Sequence, residues 1–314
     1  MAQGGILAFG DPDGYAAAFG DSRIDLTITA AGDFRAQLTW LHLKYIGVYR
    51  CCEKLTRIGY ISLSPEPTFL SFPIGAASAV SAGVSVRNGD VVFHSRGERI
   101  HQRFDGVCQW GLLALSAEHF ARCSKALTGQ PILSPLASKV IRLSRTEQSR
   151  FRSLFMHACR LAESGKITEL PEVARPLEDE LLHTIVHCLV GHEADETPRA
   201  SRHHADVMVR FEEALCKYVD QKPSMPRLCA DIGVAERTLR MCCAEFLGLS
   251  PTRYLLLRRL NKARSALRRA DSSTTSVAEI ARDHHFLELG RFAVTYRIAF
   301  GESPSVTLHR DPRA

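Results

Sequence analysis

The sequence lacks the short motifs that mark most hydrolases, kinases and dinucleotide-binding enzymes. It contains no GxSxG, HExxH, Walker or GxGxxG pattern, so no standard catalytic constellation is available. No apolar run approaches the roughly 18 residues of a membrane span. The N-terminus also lacks the basic segment followed by an apolar one that marks a chain for export. We therefore expect a cytoplasmic protein that is not an enzyme and does not contact a membrane.

Metal-binding spacings are missing as well. None of the ten cysteines is spaced as CxxC, and two pairs of them are adjacent, Cys51-Cys52 and Cys242-Cys243. We interpret them as reduced cysteines that pack as small hydrophobic side chains. The segment 94–101 lacks the His-x-His pair followed by Glu that a metal bound in a β-barrel would need. We expect neither a metal nor another cofactor.

The positive charge of the chain is unevenly distributed. The net charge is +6, and residues 201–314 hold 19 Lys and Arg against 13 Asp and Glu. Residues 1–200 hold 21 of each and are therefore neutral overall. This asymmetry is expected when one domain binds a polyanion and the other does not, although a solvated basic face would give the same count.

The N-terminal region is built of short β-favouring runs, and helical character begins at Ser116. Runs such as 37–49, 57–63 and 91–93 are separated by turn-forming residues. Many short strands with no helices between them predict a sandwich or a barrel. Residues 1–20 are rich in Gly and Ala and predict a loosely held lead-in.

Two helical segments follow the β region. Segments 146–162 and 173–190 carry apolar residues at three-and-four spacing. Each apolar stripe either caps the β domain or forms the seam of a dimer. Residues 193–204 then lose all apolar periodicity, which indicates an interdomain linker.

The C-terminal third contains an internal duplication. Gly248 and Pro251 recur as Gly301 and Pro304, each pair 53 positions apart. Each copy predicts a short helix, a turn and a second helix, which is the pattern of a helix-turn-helix unit whose second helix enters the major groove. The predicted helices are 227–232 and 236–247 in the first copy, and 276–283 and 289–300 in the second.

A long helix is predicted between the two copies, from Pro251 to Ala270. Its apolar residues fall on one side and its arginines elsewhere, as in an amphipathic helix. A helix of about 20 residues spans roughly 30 Å, close to the ~34 Å of one turn of B-DNA. It would therefore hold two recognition helices at the spacing of successive major grooves.

These segments resemble the AraC/XylS family of transcription regulators. The resemblance is carried by the strings LCADIGVAERTLR from Leu228, GLSPTRYLLLRRLNKAR from Gly248, VAEIAR from Val277 and LGRFAVTYRIAFGESPS from Leu289. It implies an α+β protein with a cupin-like β-barrel that precedes linker or dimerisation helices and an all-α domain with two helix-turn-helix units. The implied boundaries are 21–192 for the effector-binding and dimerisation domain, 193–204 for the linker and 205–314 for the DNA-binding domain.

The resemblance also assigns DNA contacts. The implied base contacts are Arg237, Arg240, Met241, Gly290, Arg291 and Val294. The arginines suit guanine O6 and N7, or they clamp phosphates instead. The implied phosphate contacts are Thr238, Arg258 and Arg297.

Three positions depart from the family pattern. Ala235 replaces a capping Ser, Cys243 replaces a core Phe, and His285 replaces a turn Gly and must tolerate or avoid a positive φ. We therefore predict a looser first unit, with the second contributing more affinity and the first more promoter-dependent discrimination.

For the N-terminal barrel, the resemblance implies a sensor pocket for an unknown small-molecule effector. The candidate pocket residues are Trp40, His42, Phe72, Phe93, His94 and Trp110, because strand alternation could turn each of them inward, although plain core packing is the alternative for each. The implied function is an effector-responsive activator of a catabolic or stress operon, which binds double-stranded promoter DNA as a homodimer and contacts RNA polymerase. The alternative function is a ligand-independent repressor or an architectural DNA binder.

Overall fold

The computed structural model describes residues 2–20, 22–75, 79–165, 167, 171–190, 199–218 and 223–310. Its strands form two antiparallel sheets that face each other. The first sheet has the order β1-β3-β4-β11-β6-β9-β12. Its strands are β1 (Gln3–Phe9), β3 (Ala36–His42), β4 (Ile46–Glu53), β6 (Pro67–Pro73), β9 (Asp90–Phe93), β11 (Cys108–Ser116) and β12 (Lys139–Arg142).

The second sheet has the order β2-β5-β10-β7-β8. Its strands are β2 (Arg23–Ile28), β5 (Arg57–Ser62), β7 (Ala79–Ser81), β8 (Val84–Val86) and β10 (Arg99–Phe104). Leu38, Ile61, Phe104 and Leu112 point from the two sheets into a shared apolar core. The predicted α+β class with an N-terminal cupin-like β-barrel is confirmed.

The N-terminal segment differs from the loosely held lead-in that its composition predicts. Strand β1 pairs with β3 along its whole length, and helix α1 (Pro12–Ala17) follows it. Tyr15 of α1 is buried and donates a hydrogen bond to Glu53 at 2.7 Å. Glycine suits this position of β1 because a Cβ at Gly4 would lie only 3.0 Å from the Cβ of Ala162. Glycine here permits close packing and does not loosen the chain.

Helices α2 (Ala117–Thr128), α3 (Arg145–Glu163) and α4 (Pro171–Val190) follow the barrel. Helix α2 is capped by Ser116, the residue at which helical character was predicted to begin. The apolar stripes of α3 and α4 are buried against the outer face of the first sheet, so these stripes cap the chain's own core and do not form an exposed dimer seam. The stripe residues buried there are Phe151, Leu154, Phe155, Ala158, Leu177, Leu181 and Ile185.

The C-terminal half is helical. Its helices are α5 (Arg199–Lys217), α6 (Met225–Ile232), α7 (Glu236–Leu247), α8 (Pro251–Arg269), α9 (Val277–Asp283), α10 (Leu289–Phe300) and α11 (Pro304–Leu308). Both predicted helix pairs and the long helix between them are therefore present. Of the predicted linker, residues 193–198 lie outside the described residues, and from Arg199 onward the chain is already helical.

Each helix-turn-helix unit has its own apolar core. Leu228, Ile232, Leu239 and Phe246 are buried together in the first unit. In the second, the buried cluster comprises Ile280, Ala281, Phe286, Phe292, Tyr296 and Phe300. Helix α8 adds Tyr254 to the first core and four further apolar residues, Leu257, Leu260, Ala263 and Leu267, to the second. One rigid helix is thus part of both cores, as its amphipathic pattern predicts.

The three departures from the family pattern have visible consequences. Ala235 begins α7 in an extended conformation and makes no side-chain capping bond. Cys243 is fully buried, and His285 adopts a φ of 61°, so of the two outcomes left open for it the residue tolerates the positive φ. Glu288, at the start of α10, also makes no side-chain capping bond, so a missing cap does not distinguish the two units.

Restoring the cap of α7 is expected to stabilise the first unit. In Ala235→Ser the hydroxyl would accept from a free N–H of the first turn, which adds about 1 kcal/mol to the free energy of unfolding. Urea unfolding monitored by circular dichroism measures the change. The matched control Ala244→Ser places the same side chain at an exposed position inside α7 and should lower stability by roughly 0.5 kcal/mol. Equal effects of the two substitutions would contradict the capping argument.

Candidate DNA-binding interface and sensor cavity

The second helices of the two units, α7 and α10, present exposed faces. Leu239, Cys242, Cys243 and Phe246 of α7 are buried, which leaves the opposite side of that helix to solvent. All six candidate base contacts are exposed, namely Arg237, Arg240, Met241, Gly290, Arg291 and Val294. A side chain must be exposed to contact base edges in a DNA groove, and all six meet this condition. Their individual roles stay predictions.

Arg240 has a partner on its own helix. Its Nη2 donates to Oε1 of Glu236 at 2.5 Å, one turn earlier. Both side chains are largely exposed, so this ion pair contributes at most about 1 kcal/mol. Arg240 can therefore exchange Glu236 for a base or a phosphate at small cost.

The three candidate phosphate contacts lie in different environments. Thr238 is half-buried in the first turn of α7, and Arg297 is exposed on α10. Arg258 of α8 instead forms an ion pair with the buried carboxylate of Glu212 in α5, and only 14% of its side chain is exposed. In this arrangement the guanidinium of Arg258 is paired with Glu212, and its contact with a phosphate stays a prediction.

A cleft of about 810 Å³ separates the two helix-turn-helix units. Arg259, Lys262 and Arg291 line it and are opposed by the acidic side chains of Asp283 and Glu288. Arg259 and Lys262 were not among the predicted contacts, although they belong to the basic run of the long helix. The cleft places them beside Arg291, so the basic surface of the second unit extends onto α8.

Glu212 joins the two halves of the protein. Oε1 of its fully buried carboxylate accepts from Nε2 of His101 at 2.9 Å and from the hydroxyl of Tyr254 at 2.7 Å. Oε2 accepts from Arg258. His101 belongs to β10 of the barrel, whereas Tyr254 and Arg258 belong to α8. One carboxylate therefore connects the second sheet of the barrel to the helix that the two helix-turn-helix units share.

The ionised form of Glu212 is strongly favoured. Burial alone would raise the pKa of this carboxyl, but the charge of Arg258 and the hydrogen bonds from His101 and Tyr254 lower it to about 2. Because the folded-state pKa lies below the ordinary value, the carboxylate stabilises the fold at neutral pH and loses this effect only as the pH falls towards 2.

Further contacts run along the same interface. Asn261 of α8 bonds the backbone N–H and carbonyl of Ile28 in β2, both at 3.0 Å. Arg268 donates to Asp11 at 3.2 Å. The N–H of Gly32, after β2, donates to the carbonyl of Phe300 in the second unit at 3.2 Å. The barrel thus contacts α8 along its length and both units.

A cavity of about 460 Å³ lies inside the barrel. Four of the six predicted pocket residues line it, namely Trp40, His42, His94 and Trp110. Phe72 and Phe93 do not, because they point to the other side of the first sheet, where Phe72 packs edge-on against Phe151 and Phe155. Side chains alternate along a strand, so Ser71 faces the cavity and Phe72 faces the helices.

Several cavity residues were missed by sequence reasoning, among them Tyr49, Ser71 and Gln102. Ser71 could have been found from Phe69, because residues two positions apart on β6 face the same side of the sheet and both line the cavity. For Gln102, the signal was its place between the inward residues Ile100 and Phe104 of β10. A polar residue that lies two positions from an inward-facing apolar residue on either side faces inward as well.

A buried ion pair lies beside this cavity. Arg57 donates to Glu53 at 2.6 Å, and both side chains are almost completely buried. The hydroxyl of Tyr15 and the indole N–H of Trp110 each donate to Oε1 of Glu53 at 2.7 Å. Burial would raise the pKa of Glu53, but Arg57 and these hydrogen bonds leave it lowered. The Trp110 ring in the cavity wall is thereby held in place.

Comparison with known proteins supports the reading of the C-terminal region. Residues 228–310 match the family model described as "Helix-turn-helix domain". The chain is 38% identical over 95 residues to the probable thc operon regulatory protein of Rhodococcus erythropolis, covering 30% of this chain and 29% of that protein. It is 39% identical over 87 residues to a XylDLEGF operon transcriptional activator of Pseudomonas putida, covering 28% and 27% respectively. The matches therefore span less than a third of these relatives.

Among solved structures, the chain is similar to the AraC-like transcriptional activator CuxR. The sequence identity is 14%, the TM-score is 0.42, and the alignment covers 82% of this chain and 94% of that one. For ToxT from Vibrio cholerae the identity is 9%, the TM-score is 0.31, and the coverage is 92% and 97%.

The paired, exposed recognition helices define the C-terminal region as a DNA-binding domain with two helix-turn-helix units. The match over residues 228–310 and the similarity to operon regulators confirm the resemblance to the AraC/XylS family that the sequence shows in this region. Among the described residues, no helix is both long enough and apolar enough to cross a membrane.

Removing the charge of Glu212 is expected to weaken the contact between the two halves. Glu212→Gln leaves Arg258 buried without its counter-charge, which costs about 3 kcal/mol of unfolding free energy at neutral pH. The difference from the unsubstituted protein should be constant from about pH 6 to 8 and shrink in acid, because the carboxylate is protonated there. Chemical unfolding at several pH values measures it.

The neighbouring Glu213→Gln is the control for this experiment. Glu213 pairs with Arg99 at 2.6 Å, but both side chains are about half exposed, so the substitution should cost less than about 1 kcal/mol. An effect of Glu212→Gln no larger than that of Glu213→Gln would contradict the role assigned to the buried carboxylate.

Proposed function

We propose that this chain is a DNA-binding transcription regulator that acts in the cytoplasm on promoter DNA. The observation that carries the proposal is the pair of exposed recognition helices, α7 and α10, both packed on the single helix α8. With 19 residues, α8 is about 28 Å long, close to the ~34 Å of one turn of B-DNA. The relatives whose C-terminal regions match are named as regulators or activators of operons.

Base reading is proposed for the arginines at the exposed ends of these helices. Arg237 lies in the first turn of α7, and Arg291 lies in the first turn of α10. A guanidinium at either position can bind guanine O6 and N7 in a bidentate manner or form an ion pair with a phosphate. A lysine can supply the positive charge of a phosphate contact, but it lacks the planar fork that makes the bidentate contact with guanine.

Effector control is proposed to pass through β10. Alternate residues of this strand face opposite ways, so Gln102 lines the cavity and the adjacent His101 bonds to Glu212 outside the barrel. A ligand that shifts β10 would therefore change the hydrogen bonding of Glu212 and its hold on Arg258. Such a ligand acts as an effector only if it binds the two domain arrangements with different affinities.

The alternative is a ligand-independent repressor or an architectural DNA binder. It would leave the cavity without a regulatory role, and no small molecule would change DNA affinity. The cavity wall and the buried Glu212 contact share one strand, which favours effector-responsive regulation. Activation of a catabolic or stress operon belongs to the same proposal. Contact with RNA polymerase belongs to the same proposal.

Arginine-to-alanine and arginine-to-lysine substitutions test DNA reading. On a promoter fragment recovered by genome-wide mapping of binding sites, Arg291→Ala should lose about 1–3 kcal/mol of specific binding, or roughly 5- to 150-fold in Kd. Arg291→Lys should restore non-specific affinity but not specificity if the guanidinium reads a base. Gel-shift titrations against specific and random DNA measure both quantities.

The same titrations on Arg237→Ala compare the two units. A larger affinity loss in Arg291→Ala than in Arg237→Ala is expected if the second unit contributes more affinity, and equal losses would contradict that asymmetry. Arg297→Ala is the control, because loss of a phosphate contact weakens binding equally on all sequences. If neither Arg237→Ala nor Arg291→Ala changed DNA affinity, the proposed interface would be wrong.

Homodimer formation is proposed through the exposed apolar residues around the end of α2. Leu133 and Leu136, in the segment that follows α2, have 66% and 105% of their surface exposed. Exposed leucines concentrated in one segment favour a protein contact. A Leu133→Glu, Leu136→Glu variant should sediment as a monomer, whereas Leu287→Glu, an exposed leucine of the DNA-binding domain, should not change the mass. A wild-type monomer in sedimentation velocity would refute the proposal.

A further inference from the structure

The barrel cavity has an unusual composition for a site that would bind an ionic metabolite. Among the described residues that line it, none is Lys, Arg, Asp or Glu. The aromatic side chains in its wall are Phe19, Trp40, Tyr49, Phe69 and Trp110. Trp40 and Trp110 are the only two tryptophans of the chain. The wall is therefore rich in aromatic side chains, and the basic side chains among its described residues are those of His42 and His94.

The Arg57–Glu53 pair beside the cavity offers little compensation to an ionic ligand. Arg57 and Glu53 bond to each other, and their remaining hydrogen-bonding groups are taken by Tyr15, Trp110 and Gln102. A carboxylate or ammonium group that entered the cavity would lose its hydration without gaining a counter-charge from this pair. That desolvation is expensive in an apolar enclosure.

Gln102 presents a hydrogen-bond donor to the cavity. Its amide oxygen accepts from Nη2 of Arg57 at 3.1 Å, which orients the side chain. The described residues provide no partner for its amide nitrogen, and the side chain belongs to the cavity wall. The NH2 group is thus the end of Gln102 that a ligand can bind.

Ser71 presents an acceptor. Nδ1 of His94 donates to the carboxylate of Glu98 at 3.1 Å, so in the neutral ring Nε2 accepts from the Ser71 hydroxyl at 2.8 Å. The hydroxyl proton of Ser71 is thereby used, and its oxygen lone pairs remain for a ligand. Both Ser71 and His94 line the cavity.

We propose that the cavity binds an uncharged aromatic compound bearing a polar group that accepts from Gln102 and donates to Ser71, and that it discriminates against aromatic acids and amines. The ring is placed among the tryptophans, and the polar group lies between β6 and β10. This inference rests on the proposed effector role of the barrel, and the experiment below separates the two.

Three probes with one ring and different charges test the proposal. Benzamide is neutral and has both an acceptor and a donor, benzoate is an anion, and benzylamine is a cation at neutral pH. Because both tryptophans of the chain line the cavity, their fluorescence reports on its occupancy. We expect saturable benzamide binding to the full chain, with a Kd at least about 10-fold lower than for either ion, equivalent to about 1.4 kcal/mol. Equal or tighter binding of an ion, or no saturable binding of benzamide, would overturn the proposal.

Substitution of Gln102 tests the donor. Gln102→Glu keeps an acceptor for Arg57 but removes the NH2 group, and it should weaken benzamide binding at least about 10-fold. Gln109→Glu makes the same change at an exposed position of β11, next to Trp110, and should leave the affinity unchanged. Unchanged benzamide binding by a folded Gln102→Glu would refute the role of Gln102. The comparison of the three probes on the unsubstituted protein needs no variant, so it decides the charge preference even if Gln102→Glu does not fold.

Gel shifts with and without benzamide separate the ligand class from the regulatory role. Benzamide binding without any change in DNA affinity would support the ligand class and contradict effector control. DNA binding that is intact in a protein without benzamide affinity would overturn the ligand class and leave the DNA-binding function in place.

Discussion

The buried carboxylate of Glu212 is the interaction on which the arrangement of the two halves depends. It has no access to water, so its charge must be balanced by protein groups, and His101, Tyr254 and Arg258 supply that balance from the barrel and from α8. A buried charge tolerates little displacement of its partners. The barrel and α8 are therefore held in one relative position for as long as Glu212 is satisfied.

The position of α8 makes this contact matter for the whole DNA-binding region. The same helix contributes Tyr254 to the core of the first unit and Leu260 to that of the second. Anything that moves α8 relative to the barrel moves both recognition helices as one body. On the other side of the interface, β10 carries His101 outward and Gln102 into the cavity. The two-residue period of a strand is thus sufficient to link the cavity to the DNA-binding region.

The local sequence pattern predicted secondary structure correctly wherever a segment follows a single apolar periodicity. The bounds of α7 and α10 are those predicted, because a three-and-four apolar pattern between a turn and a terminal Gly leaves one helical solution. The family pattern indicated that His285 must tolerate or avoid a positive φ, and its φ of 61° shows that it tolerates one. The ordered β1 was not, because Gly4 and Gly5 indicate flexibility when the packing of α3 against the strand is unknown. Phe72 was assigned to the pocket because aromatic character does not reveal on which face of a sheet a residue lies.

The sequence by itself determined the internal repeat, the helix-turn-helix pattern, the uneven charge and the β-rich start. Each of these depends on residues close together in the chain or on a count of residues. Only the tertiary structure decided that Arg258 faces Glu212, which lies 46 residues earlier, and that Gln102 and Ser71 meet in one cavity. Those pairings arise from the packing of two sheets and a helical domain. The positions of residues in the sequence do not show which distant charged and polar groups will meet and compensate one another once water is excluded.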